Sequence, residues 1–139
     1  AGQRVRLYDI NGLLLVDSYQ VTEAIGGQPL PDANPAGDIF GGWVMSQMDI
    51  AGAIAAVERV KGRVVTVAVD SMTFIAPVKV GDVLCVYTSV ERVGTTSITI
   101  ALEAWARRNR LDDRQKVTEA RFIYVSLDEA GQKRAIPAA

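Results

Sequence analysis

The chain contains no histidine. That excludes Ser-His-Asp and Cys-His catalysis, histidine general bases and His-ligated zinc. Cys85 is its one cysteine, so neither an intrachain disulfide nor a thiolate metal cluster can form. Lying in the run VLCVYTSV, Cys85 reads as a small buried hydrophobe. Charge of either sign is not in excess: the formal net charge is −1, which leaves no basic field to draw nucleic acid or an anionic membrane. No apolar run approaches the roughly 20 residues of a membrane helix. The first residues lack a basic-then-apolar signal pattern, and the expectation is a soluble cytoplasmic protein. Acid–base chemistry then falls to carboxylates, lysine, tyrosine or metal-free water activation.

What is present fits one domain, residues 1–139, with 49% hydrophobic and 22% charged residues. RVRLYDI (4–10) and LLLVDSY (13–19) flank Asn11-Gly12, a hairpin signal because both turn residues must take positive φ. A loop with Pro29, Pro31 and Pro35 follows. From Trp43 to about Val60 the period is helical, with Val44, Met48, Ala51 and Ala55 on one stripe and Gly62 as the stop. At about 1.5 Å per residue that helix is roughly 27 Å long. The rest reads as β: 63–69, 82–93, 97–108 and 116–127, separated by PVKVGD, VGTT and NRLDDRQ. In 97–108, Ile98, Ile100, Leu102 and Ala104 face one way and Thr99, Ala101, Glu103 and Trp105 the other. One long helix with five or six mostly antiparallel strands leaves a sheet face uncovered, and a second subunit is the economical cover.

Chemistry concentrates where NPAGDIFGGW (34–43) meets the helix. Gly41, Gly42 and the following backbone present N–H groups at a helix N-terminus, which favours negative charge and suits an oxyanion. Asp38 lies just upstream. As a base beside an oxyanion site it completes the minimum set for acyl transfer to water; as an N-cap it does only structural work, though Gly41 rules out a capping box. Asp49, inside the helix, either points at a pocket or sits on the polar edge of the stripe. Asp70, Ser71 and Thr73 line a cleft or end a strand. Thr95, Thr96 and Ser97, after Gly94, bind phosphate or amide groups or simply start a strand. The basic clusters RRNR (107–110) and KR (133–134) are solvated turns or phosphate contacts.

NPAGDIFGGWVMSQMDIAGAIAA, GRVVTVAVDSMTFIAPVKVGD, VGTTSITIALEAW and KVTEARFIYVSLD, in register over about residues 30–137, resemble the bacterial hotdog-fold acyl-CoA thioesterases, and among them the YciA-type acyl-CoA thioester hydrolases. The resemblance implies an α+β hotdog fold: one long central helix wrapped by a curved antiparallel sheet of five to six strands. It implies hydrolysis of acyl-CoA to free acid and CoA, with no cofactor, CoA being part of the substrate, and no metal. It implies that Asp38, the acid of GDIFGG, orients or deprotonates water while a backbone N–H near Gly42 or Trp43 polarises the thioester carbonyl. Substrate-binding positions follow at Asn34, Phe40, Gly41, Thr66, Asp70, Thr95, Thr96 and Ser97. The site is implied at a homodimer interface, with strand 64–71 of the neighbouring chain facing Asp38, and the dimer built into a tetramer or hexamer. Asp49 is the second choice, nearest to the relatives whose acid is on the helix. Ile39, Phe40, Trp43 and Met72 are expected to shape the acyl pocket. Two departures stand out. Ala76 occupies the arginine position of the relatives' F-x-R-P, and residues 1–29 find no match.

Two other classes remain. One is a non-catalytic acyl-CoA-binding or regulatory domain, since fold does not fix function. The other is a hotdog hydratase or dehydratase, against which the missing histidine argues.

Overall fold

The computed structural model describes residues 33–107 and 114–139, together with the backbone of 2–9 and 14–21. Strands β1 (Gly2–Asp9) and β2 (Leu14–Val21) precede a single long helix, α1 (Gly41–Val60). Four strands follow: β3 (Arg63–Phe74), β4 (Val83–Val93), β5 (Ser97–Arg107) and β6 (Arg114–Leu127). They form one six-stranded sheet in the order β2-β1-β4-β5-β6-β3. All neighbours are antiparallel except β1 and β4. β1 and β2 pair as the Asn11-Gly12 signal implies, but the turn itself lies outside the described residues, as does most of the 109–115 tip.

The sheet's inner face comes from strict alternation in β5. Ile98, Ile100, Leu102, Ala104 and Ala106 are buried while their neighbours are partly exposed. Fully burying each large aliphatic side chain contributes about 1.5–3 kcal/mol. β6 adds Phe122 and Tyr124, and β4 adds Leu84 and Val86. Cys85 is buried, as its setting in an apolar strand suggests.

α1 lies on this face through Val44, Gln47, Met48, Ala51, Gly52, Ala56 and Val60. Of the expected stripe, Val44, Met48 and Ala51 are fully buried and Ala55 is partly buried against the core, with Ala56 buried beside it. At Gly52 the helix has the Tyr124 side chain of β6 directly against its backbone. A Cβ there would fall 2.2 Å from the Tyr124 hydroxyl.

Both helix ends differ from expectation. The helix starts at Gly41, two residues early, with Phe40 as an extended N-cap that makes no side-chain cap bond. Asp38 is therefore not the cap. At the other end the left-handed residue is Lys61 (φ 55°), whose N–H reaches the Val57 carbonyl at 2.8 Å. Gly62 serves instead for close approach, since a Cβ there would meet Arg134 Nη1 at 2.6 Å. That guanidinium donates to the free carbonyl of Val60 at 3.0 Å and completes the helix end. β3 runs on to Phe74 past the expected end at 69, by way of an irregularity between Asp70 and Thr73 with Ser71 at φ 50°.

Candidate active site

Two carboxylates flank the first half of α1, and their surroundings differ. Asp38 sits in a tight loop. Asn34 Oδ1 accepts the N–H groups of Ala36 (2.9 Å) and Asp38 (3.0 Å), and Gly37 takes φ 84°, which glycine adopts without strain. Residues 37–39 then pair with 78–80: the Ile39 N–H donates to the Val78 carbonyl (2.8 Å) and that of Val80 to Gly37 (2.9 Å). This places Asp38 opposite Lys79. The Lys79 ammonium donates to Asp38 Oδ1, and the Asn34 amide donates to Oδ2 at 3.3 Å. Both oxygens are engaged and the charge is matched.

Asp49, two turns into α1, faces β6 and β3. Thr66 Oγ1 donates to Asp49 Oδ1 at 2.6 Å, and Tyr124 Oη lies 3.1 Å from that oxygen and 2.8 Å from the Asp49 main-chain carbonyl. Thr66 and Tyr124 are register partners across β3 and β6, so the pairing delivers both hydroxyls to one point. Asp49 Oδ2 has no hydrogen-bond partner among the described residues. Burial, then the charge of Asp49, holds the Tyr124 phenol well above the ordinary tyrosine range, so it stays a donor.

The helix start supplies donors. The Trp43 N–H reaches the Phe40 carbonyl at 3.0 Å, so of the two expected oxyanion donors Trp43 is engaged. The Gly42 N–H has no intrahelical partner and no acceptor among the described residues, and Gly42 is exposed. Gly41 is held small by Phe74, whose ring would lie 3.1 Å from a Cβ there. Beside it runs an apolar groove of about 360 Å³ lined by Ile39, Gly41, Val44, Phe74, Ile75 and Val78. Of the side chains expected to shape a pocket it includes Ile39, but not Phe40, Trp43 or Met72. Phe40 is exposed.

The remaining expected residues do not converge on Asp38 within one chain. Thr66 is bonded to Asp49. Asp70 is exposed and accepts the Ser71 hydroxyl at 3.1 Å. Thr95, Thr96 and Ser97 form the β4–β5 turn, where the Thr95 and Thr96 carbonyls accept the N–H groups of Ile136 and Ser126, both at 2.8 Å. Ser97 pairs with Val125 and Val125 with Val65, so this turn lies two strand spacings, roughly 10 Å, from the Thr66 region. Among the described residues no three His, Cys, Asp or Glu side chains group as metal ligands, and no helix is long and apolar enough to cross a membrane.

Lys79 and Tyr124 were not legible as site residues. Lys79 is one of several lysines in a turn. Tyr124 carries a signal: it falls in the inward register of β6, and a buried phenol needs a polar partner.

Residues 36–112 match the model of the thioesterase superfamily. The acyl-CoA thioester hydrolase YciA of Salmonella typhimurium is 54% identical over 109 residues, covering 76% of this chain and 82% of the relative. A hexameric thioesterase of Yersinia pestis superposes with a TM-score of 0.73 at 54% identity, covering 78% of this chain and 88% of that one. An acyl-CoA hydrolase of Staphylococcus aureus, solved with butyryl coenzyme A and coenzyme A, superposes with a TM-score of 0.72 at 28% identity over 80% of this chain and 68% of its own. It has also been solved as an asparagine-to-alanine and a threonine-to-alanine variant. Helix and sheet together have the hotdog architecture of such neighbours.

Proposed function

The chain belongs to the thioesterase superfamily, and from that premise we propose that it hydrolyses acyl-CoA thioesters to a carboxylic acid and CoA, with Asp49 as the general base. The observation that carries the assignment is the difference between the two carboxylates. The family resemblance ranks Asp38 first; the hydrogen-bond partners favour Asp49. Asp38 is paired with Lys79 on one oxygen and accepts from Asn34 on the other, whereas Asp49 has one oxygen oriented by hydroxyls and the other unengaged. Asp49 Oδ2 takes a proton from water as that water adds to the thioester carbonyl. The oxyanion is met by the Gly42 N–H and the positive end of α1, and collapse of the tetrahedral intermediate expels the CoA thiolate, which regains the proton. Asp38 fastens the 34–38 loop against 78–80.

Gly42 and Asp49 are seven residues apart on one helix, roughly 10 Å along its axis, too far for both to touch the same carbonyl. The site is therefore built from two protomers, the helix start and Asn34 of one facing Asp49 and Thr66 of the other. In the S. aureus hydrolase the asparagine and threonine that have been replaced are thirty-two residues apart, the same spacing as Asn34 and Thr66. The edge strand β3 exposes Val65, Val67 and Val69, and α1 exposes Ile50 and Val57, an apolar margin suited to a second copy. A hexamer, the assembly of the Yersinia relative, is expected here too, built from three such dimers. Thr95, Thr96 and Ser97 contact the CoA moiety, and the apolar groove receives acyl carbons. The whole chain acts as one cytoplasmic domain without a cofactor.

Thiol release from a panel of acyl-CoA esters tests the reading. Turnover is expected on at least one chain length. Tight CoA binding in calorimetry with no turnover on any ester would support the binding-domain alternative.

A further inference from the structure

We propose that Tyr124 is a positioning residue for this hydrolysis, its hydroxyl acting with that of Thr66 to fix Asp49 Oδ1 so that Oδ2 is turned toward the water. The inference rests on Asp49 being the base. Tyr124 is fully buried in the inward register of β6 and stacks on Phe122 with centroids 6.5 Å apart. A phenylalanine would fill the same volume and bury no polar atom. The hydroxyl therefore adds nothing to packing, and burying it costs free energy unless it bonds. Its partners are both on Asp49: the main-chain carbonyl at 2.8 Å and Oδ1 at 3.1 Å. One proton is shared between them, and the ionised carboxylate is the stronger acceptor.

The facing helix is built around that hydroxyl. At Gly52 any Cβ would lie 2.2 Å from Oη and 3.0 Å from Cζ, so α1 carries no side chain at the one place where the phenol passes to Asp49. Two hydroxyls thus converge on one carboxylate oxygen of the helix residue Asp49: Thr66 from the edge strand and Tyr124 from the neighbouring strand. Lost orientation of a general base lowers turnover more than substrate binding.

The test measures kcat and KM separately for Tyr124→Phe, Asp49→Asn and the double variant, on an acyl-CoA ester that the wild-type oligomer hydrolyses. Tyr124→Phe is expected to lower kcat about tenfold with KM within about twofold. In the double variant, kcat is expected to equal that of Asp49→Asn alone, because the phenol acts through the carboxylate. Wild-type kcat in Tyr124→Phe, or a further tenfold loss in the double variant, overturns the inference. If Asp49→Asn itself keeps wild-type kcat, the assignment of the base fails, and the Tyr124 role fails with it. Inactive Asp49→Asn beside fully active Tyr124→Phe removes the Tyr124 role alone. Should Tyr124→Phe not fold, Gly52→Ala displaces the hydroxyl with the tyrosine in place; a kcat-only loss is expected, and unchanged kcat overturns the inference.

Discussion

The Thr66 hydroxyl donates to Asp49 Oδ1 at 2.6 Å, tying the middle of the helix to the sheet's edge strand. This is a hydrogen bond to a carboxylate, worth about 1.5–3 kcal/mol where it is fully made. Thr66→Val keeps the shape and removes the donor. It is expected to cut kcat about tenfold, with a loss of about 1 kcal/mol in stability by chemical denaturation. A valine variant with wild-type kcat would show that the bond does nothing for the reaction.

Gly52→Ala is expected to destabilise the fold by about 1–3 kcal/mol, because the new methyl group meets the Tyr124 hydroxyl at 2.2 Å. Placed in the Tyr124→Phe background, the same alanine still meets the ring but no longer the oxygen, so the cost shrinks. Calorimetric melts of the four proteins check this. Strictly additive effects would mean that the hydroxyl is not the point of contact.

Alkaline stability follows from the same residue. The folded state holds the Tyr124 phenol protonated well above its ordinary range, chiefly through burial. In the unfolded chain it ionises near pH 10. Above that pH the unfolded state has released a proton that the folded state retains, so the folded state loses stability as pH rises. The contribution is complete below about pH 10 and declines beyond it. Urea unfolding between pH 9 and 11 should show a steeper decline for wild type than for Tyr124→Phe; equal slopes would contradict the burial of an un-ionised phenol.

The apolar margin gives a prediction about assembly. Val67 is 54% exposed on the edge strand β3. Val67→Asp places a charge where a second copy is expected to pair, and a desolvated unpaired charge is costly. Light scattering should show smaller particles, and thioester hydrolysis should fall together with them because the proposed site needs two protomers. A monomer with full activity would overturn the composite site.

Much of this was legible in the sequence because periodicity reports burial. The alternation of β5 gave its inner face residue by residue, and the helical stripe was right at Val44, Met48 and Ala51. Helix ends were less legible. Gly41 and Gly42 read as the junction before a helix from Trp43, yet they are its first two residues, and Gly41 is held small by Phe74. Gly62 looked like the left-handed stop, but Lys61 takes that conformation and Gly62 makes room for Arg134. At the site, residue types placed Asp38 and Asp49 in contention without ranking them on geometry. What separates them is long-range: Lys79 lies 41 residues from Asp38, and Tyr124 lies 75 from Asp49. No local pattern carries such contacts.

The two carboxylates can be told apart by one comparison. Steady-state hydrolysis of an acyl-CoA ester, followed by thiol release, is measured for Asp49→Asn and Asp38→Asn beside wild type. Removing a general base lowers the rate by about 10²–10⁴-fold. Asp49→Asn is expected to fall in that range. Asp38→Asn, which weakens a partly exposed ion pair worth at most about 1 kcal/mol, is expected to stay within about tenfold of wild type. Near-normal kcat/KM in Asp49→Asn with a collapse in Asp38→Asn would contradict the account.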